Sequence, residues 1–189
     1  VQLGRIDFNS TVDWATANTF TANAIDDIFF NGGGGLNATG GGNIVLNAGD
    51  DIRMFNTSTG INTNGGDVTL NAFQEVALRG GAGINANGGD IIINNQTGGF
   101  YGFANSLNTT GTGTITLNQF KDNIENPPGT VSTIQNAIDA LNNTGTGLNT
   151  INVKSGTYNE NVVIDHDHLA LIGKPGDPLV PGAAADAPL

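Results

Sequence analysis

Short apolar–polar alternations recur along the chain at a nearly constant spacing. Val68-Thr69-Leu70 and Ile91-Ile92-Ile93 each follow an Asn-Gly-Gly-Asp run, and each is closed by an Asn. Short runs that alternate, or are apolar throughout, between turn residues predict strands. The Gly pairs between them supply the backbone angles that corners need. Written as successive lines, the chain reads LNATGGGNIVLNA from position 36, INTNGGDVTLNA from 61, INANGGDIIINN from 84 and LNTTGTGTITLN from 107. The earlier stretch FTANAIDDIFFNGGGG repeats the second half of a line, so the period is 23–25 residues. Three short strands and three corners fit in each line. That makes a line one coil of a parallel β-solenoid, a quasi-one-dimensional repeat.

Stacking the lines predicts which side chains face inward. Ile44, Val68, Ile91 and Ile115 fall in one column, and Leu46, Leu70, Ile93 and Leu117 in a second. Val45, Thr69, Ile92 and Thr116 lie between them and are expected to face outward. Ile52 with Val76, and Met54 with Leu78, give two further inward columns. Coils about 4.8 Å apart place each aliphatic on its counterpart, and burying each is worth roughly 1.5–3 kcal/mol. The Asn residues align as well. Asn23, Asn47, Asn71, Asn94 and Asn118 form one set, and Asn37, Asn62, Asn85 and Asn108 another. Amides stacked this way can bond along a ladder, and Asn tolerates left-handed corners. Both sets are therefore expected to be structural corner ladders.

The repeat breaks at ENPPG, and the organisation divides there. Residues 1–129 read as solenoid, 130–145 as a helical insert or cap, 146–175 as further coil, and 176–189 as a Pro/Ala-rich tail. Ser132 followed by Gln135 is a capping-box pattern. Ile134, Ile138 and Leu141 share a face, which predicts a short helix over 133–141. Strands are then expected at 151–153, 162–164 and 169–172.

Composition narrows the function classes. Of the 189 residues, 29 are Gly, none is Cys and about one in seven is Asn. That disfavours helix but leaves enough apolar residues for a core. Six basic residues against 17 acidic ones, a net charge of −11, make no phosphate-binding stripe, so nucleic acid is excluded as a partner. No apolar run is long enough to insert in a membrane as a helix. The chain opens in mid-pattern and is expected to be a piece of a longer protein.

The apolar-Asn, Asn-Gly-Gly, strand, Leu-Asn-Ala pattern over residues 20–119 resembles the repeats of filamentous-haemagglutinin-type surface proteins of Gram-negative bacteria and cyanobacteria. That resemblance implies a right-handed β-helix, export by two-partner secretion or a similar route to an extracellular or outer-membrane-associated cell-surface location, and adhesion or surface structure. The family's Asn-Pro-Asn-type secretion motifs are not present. Residues 130–173 resemble the opening of pectin-lyase-like β-helices, such as pectinesterases, through Ile134, Ala137, Ile138, Val153, Gly156, Thr157, Tyr158, Val162, Ile164, Leu171, Ile172 and Gly173. The catalytic acids and Arg of those enzymes lie further along than this chain reaches. The expected function is an extracellular structural or adhesive solenoid segment, with no enzyme activity. Two alternatives are a filament subunit stacking end to end through open coils, and a non-catalytic N-terminal part of a polysaccharide-processing β-helix. The expected partners are further copies of the chain, other surface proteins or surface glycans.

Candidate chemistry is sparse. Asp26-Asp27 and Asp50-Asp51 lie 24 residues apart with Glu75 near the same column, and stacked carboxylates of this kind are the one candidate Ca²⁺ site. No other cofactor is expected. The repulsion between charges a coil apart, roughly 1 kcal/mol in water, is small enough for the core to absorb without an ion. Asp67 and Asp90 form a second acidic column. His166 and His168 would share a face only in an extended segment, and lack a third ligand, so they read as turn residues. Phe100, Tyr101 and Phe103 read as filling of a wider coil, with a sugar- or protein-contacting patch as the functional alternative. Trp14, near the N-terminus, is expected either to cap the open end of the first coil or to meet a neighbour.

Overall fold

The computed structural model describes residues 4–55, 60–120, 133–154 and 158–173. Five coils each contribute three strands: β1 (Ile6–Phe8), β2 (Thr11–Trp14) and β3 (Phe20–Ala24); β4 (Ile28–Phe30), β5 (Gly35–Ala38) and β6 (Ile44–Ala48); β7 (Ile52–Met54), β8 (Gly60–Thr63) and β9 (Val68–Ala72); β10 (Val76–Leu78), β11 (Gly83–Asn85) and β12 (Ile91–Asn95); β13 (Phe100–Tyr101), β14 (Leu107–Thr109) and β15 (Ile115–Phe120). The sixth coil is α1 (Ile134–Asp139), β16 (Leu141–Asn143) and β17 (Asn149–Val153), and β18 (Leu169–Gly173) lies beyond it. Three parallel sheets result. Sheet 1 runs β1-β4-β7-β10-β13, sheet 2 runs β2-β5-β8-β11-β14-β16, and sheet 3 runs β3-β6-β9-β12-β15-β17-β18. The protein is an all-β parallel β-solenoid of about six turns, with one short helix.

Register follows the period of the sequence. Ile44 pairs with Val68, Val68 with Ile91 and Ile91 with Ile115, while Leu46, Leu70, Ile93 and Leu117 align two residues on. All eight side chains are buried. Ile28, Ile52, Val76 and Phe100 make the matching column of sheet 1, and Leu36, Ile61, Ile84, Leu107 and Leu141 that of sheet 2. No coil could bury this surface alone, so the line must repeat to fold. The first coil is filled by aromatic rings. Phe8 stacks on Phe30 at 4.8 Å between centroids and Trp14 lies 5.4 Å from Phe20, its indole N–H donating to the Asn18 carbonyl at 3.1 Å.

The helix is shorter than the expected 133–141. Leu141 already belongs to sheet 2, fully buried over Leu107. The apolar face consists of Ile134, Ala137 and Ile138, at i, i+3 and i+4. Thr133 is the N-cap, its hydroxyl accepting from the Asn136 N–H at 3.0 Å; the expected cap at Ser132 lies outside the described residues. The helix takes the place of a sheet 1 strand, with the Asn105 and Leu107 N–H groups bonding to the Asp139 and Ala140 carbonyls at 2.9 Å each. The ladder spacing lengthens there to 34 residues, yet pairing resumes in β17.

The expected strand at 162–164 does not form, and Val162, Val163 and Ile164 are exposed. The cause is the helix beneath them. Its backbone is wound into a helix rather than extended, with its end groups bonded to Glu160 on one side and to Asn105 and Leu107 on the other, so sheet 1 offers no strand edge to pair with. Instead Glu160 crosses to the helix N-terminus, accepting from the Ile134 and Gln135 N–H groups at 2.9 and 3.0 Å. The Gln135 amide stands in for a strand, with Oε1 accepting from the Val163 N–H at 2.7 Å and Nε2 donating to its carbonyl at 3.3 Å.

Candidate functional site

The corner from sheet 3 to sheet 1 gathers the acidic residues. A ligand oxygen from each of Asp27, Asp50 and Asp51 lies within 4.8 Å of the other two; Asp26 is not part of this group. Their oxygens already have work. Asp27 Oδ1 accepts from the Asp51 N–H at 3.2 Å, and Asp51 Oδ1 accepts from the Glu75 N–H at 2.8 Å, so each carboxylate caps the backbone of the next coil. Asp50 receives the side-chain amide of Gln74. Two cations also face the column. Arg53 Nη2 lies 2.5 Å from Asp51 Oδ2, and Arg79 Nη2 lies 3.1 Å from Glu75 Oε1. Asp51 and Glu75 are each only 4 % exposed, and ionised carboxylates that deep need such partners. The arrangement is a bonded lattice of acids, amides and guanidinium groups. Arg53 and Arg79 were missed in the sequence, although each follows a column acid at a spacing, i+2 or i+4, that fits a paired role.

Burial raises the Asp51 carboxyl above its ordinary value of 3.8, with the Glu75 N–H and the Arg53 charge pulling the other way. The folded chain thus holds this proton more tightly than the unfolded chain. The stability contributed by this group is fully present below about 3.8 and is lost as pH rises through the raised folded value. Asp51→Asn keeps an oxygen for the Glu75 N–H and removes the titration. Its melting temperature relative to the parent is expected to rise between about pH 4 and about pH 7. Circular-dichroism melts at both pH values check this, and a difference that falls with pH would contradict it.

At the corner from sheet 2 to sheet 3 the second acidic column does similar capping. Asn43 Oδ1 accepts from the Asp67 N–H at 2.9 Å, Asp67 Oδ1 from the Asp90 N–H at 2.9 Å, and Asp90 Oδ1 from the Thr114 N–H at 2.8 Å.

The first Asn column lies within strands, on the outer face of sheet 3, and not at corners. Strand alternation is the reason: Leu46 points in, Asn47 out and Ala48 in. Asn47 donates to Asn23 at 2.7 Å, Asn71 to Asn47 at 2.6 Å, Asn94 to Asn71 at 2.6 Å and Asn118 to Asn94 at 2.8 Å. Asn152 extends the ladder to Asn118 at 2.7 Å. In sheet 2, Asn37, Asn62, Asn85 and Asn108 are in register. There Asn37 bonds to Asp13 at 2.7 Å and Asn142 to Asn108 at 2.5 Å.

The aromatic cluster divides. Phe100 is core at 2 % exposure, while Tyr101 faces outward beneath the Arg79 guanidinium, 5.6 Å away. Phe29, in the same outward row, lies between Arg5 at 5.1 Å and Arg53 at 5.8 Å. All three arginines of the chain therefore sit on the sheet 1 face. His168 has φ of 57°, so the Asp165–His168 stretch turns rather than runs extended. An open groove of about 740 Å³ lies at the first coil, lined by Ile6, Phe8, Phe20, Ala22, Ala24 and Ala48 among others. No helix among the described residues is long and apolar enough to cross a membrane. No protein-family model matches the chain, and no curated protein or solved structure was found to match it.

Proposed function

We propose that the chain is a non-enzymatic rod segment of a bacterial surface or secreted protein, of the filamentous-haemagglutinin-like kind, whose work is done by its lateral faces. One observation carries this reading: in-register stacking over the first five turns fills the interior with side chains, leaving the chemistry on three outer faces. A scaffold of this kind displays; it encloses no substrate. The acid–arginine lattice supports the same reading, because Asp27 and Asp51 cap the backbone of the next coil while Asp51 and Glu75 pair with Arg53 and Arg79. On this reading the corner needs no Ca²⁺. The test is immunogold labelling of intact source cells with antibody to the chain, beside negative-stain imaging of the purified protein. Label on intact cells and thin rods are expected. Label that appears only after lysis would overturn the surface placement.

A second reading, end-to-end assembly, draws on the groove at the first coil. Leu171 of β18, 38 % exposed, continues the column that begins at Ala22. A copy stacked in the same sense would set a large side chain over a small one in that groove. Rods whose length grows in steps with concentration would favour this reading over the first.

A further inference from the structure

The outer face of sheet 3 differs from the rest of the surface. Beside the Asn ladder runs a second outward rank: Thr21, Val45, Thr69, Ile92, Thr116 and Thr150. The two ranks contain no charged residue over six strands, in a chain with 17 acidic and six basic residues. The acids stop at the corners on either side, at Asp26 and Asp50 along one edge and Asp67 and Asp90 along the other.

Both ranks are fixed in two dimensions. Parallel pairing sets about 4.8 Å between coils and about 6.6 Å between alternate residues of a strand. Pairing from β3 through β12 is in register without a slip. Each inner ladder amide, Asn47 to Asn118, spends one N–H and one lone pair on its neighbours, at 2.6–2.8 Å, so its plane is held and one N–H and one lone pair remain for solvent; at the two ends Asn23 accepts, and Asn152 donates and is buried. The Thr, Val and Ile side chains of the other rank are β-branched and stiff at χ1. Water over this face meets a rigid rectangular array of methyl, hydroxyl and amide groups, and no mobile charge.

We propose that this face binds the water lattice of ice. Ice recognition requires what the array supplies: neutral groups with two regular repeats close to those of the crystal's oxygen positions, methyls that cage water and polar atoms that anchor it. Preorganisation matters because an ordered partner repays only a surface that loses little freedom on contact. A neutral polysaccharide would ask for hydrogen-bonding groups too, but stacks on aromatic rings. The two ranks have none; Phe29 and Tyr101 lie outward on sheet 1, and the exposed Phe73 sits past the end of β9, beyond both ranks.

The experiment uses the 189-residue chain and two variants. Partitioning into slowly growing ice, and thermal hysteresis, are measured for the parent, for Thr69→Lys/Thr116→Lys, and for Asn85→Lys, which places one such charge on the outer face of sheet 2. The parent and Asn85→Lys are expected to enter the ice fraction and delay crystal growth. Thr69→Lys/Thr116→Lys is expected to be excluded like a non-binding protein of equal size, with an unchanged circular-dichroism melt. Exclusion of the parent from ice overturns the proposal, as does retention of full activity by Thr69→Lys/Thr116→Lys. Binding of the parent to cellulose or to a second copy, lost in that variant and accompanied by no ice activity, also overturns it.

Discussion

Leu70→Ala is expected to destabilise the chain by about 2–5 kcal/mol, whereas Thr69→Ala, one residue away, should stay within about 0.5 kcal/mol. Leu70 has no exposed surface and lies between Leu46 and Ile93 in register. Truncating it removes apolar burial and leaves a void that two strands hold open, because their backbones are bonded on both sides. Thr69 points outward on the same strand and loses little. Chemical denaturation of both variants checks the contrast, and equal losses would mean that the inward columns are wrongly placed. The damage should also be local. Each coil touches only its neighbours, so hydrogen-exchange protection in β6, β9 and β12 is expected to fall before protection in β17 does.

That contrast rests on a pattern that was readable because the chain repeats. One line fixes which residues of the next line face inward, so Ile44, Val68, Ile91 and Ile115 could be aligned without any knowledge of a corner's shape. The phase of the corners was harder to read. The Asn set was expected at corners, yet Asn47 follows Leu46 within β6 and points outward. Period alone does not say where a strand ends. The arginines of the acid column were missed because their pairing depends on which outward rows sit side by side. The segment 162–164 looked like a strand by composition and was denied one by its neighbour. An edge must exist for a strand to join it, and α1 supplies none. Thr133 caps the helix, and a run of adjacent hydroxyl residues offers the same capping chemistry at each position, so the sequence alone does not select one. Function was the least legible part, since a side chain repeated to build a wall carries little trace of what the wall meets.

Two kinds of glycine separate the path of the chain from its packing, and Gly89→Ala is expected to cost about 3 kcal/mol. A Cβ at Gly89 would lie 2.2 Å from the Gly66 carbonyl oxygen, and the same collision recurs down the column, Gly66 against Gly42 at 2.3 Å and Gly147 against Gly113 at 2.2 Å. The obstructing atoms are backbone, so no rotamer change relieves them, and the coils would have to part where their hydrogen bonds hold them together. Gly111 is different. Its φ is +63° and open space surrounds it, so Gly111→Ala pays only for the left-handed backbone, about 1–2 kcal/mol. Asn visits that conformation readily, as Asn87 does here at φ of 50°. Gly111→Asn should therefore recover most of what Gly111→Ala loses, while Gly89→Asn should be no better than Gly89→Ala. Denaturation midpoints for the four variants decide the matter. Recovery at Gly89 would mean that the coils are not in contact at that corner, and the close approach that lets one turn of the chain lie directly on the next would have to be sought elsewhere.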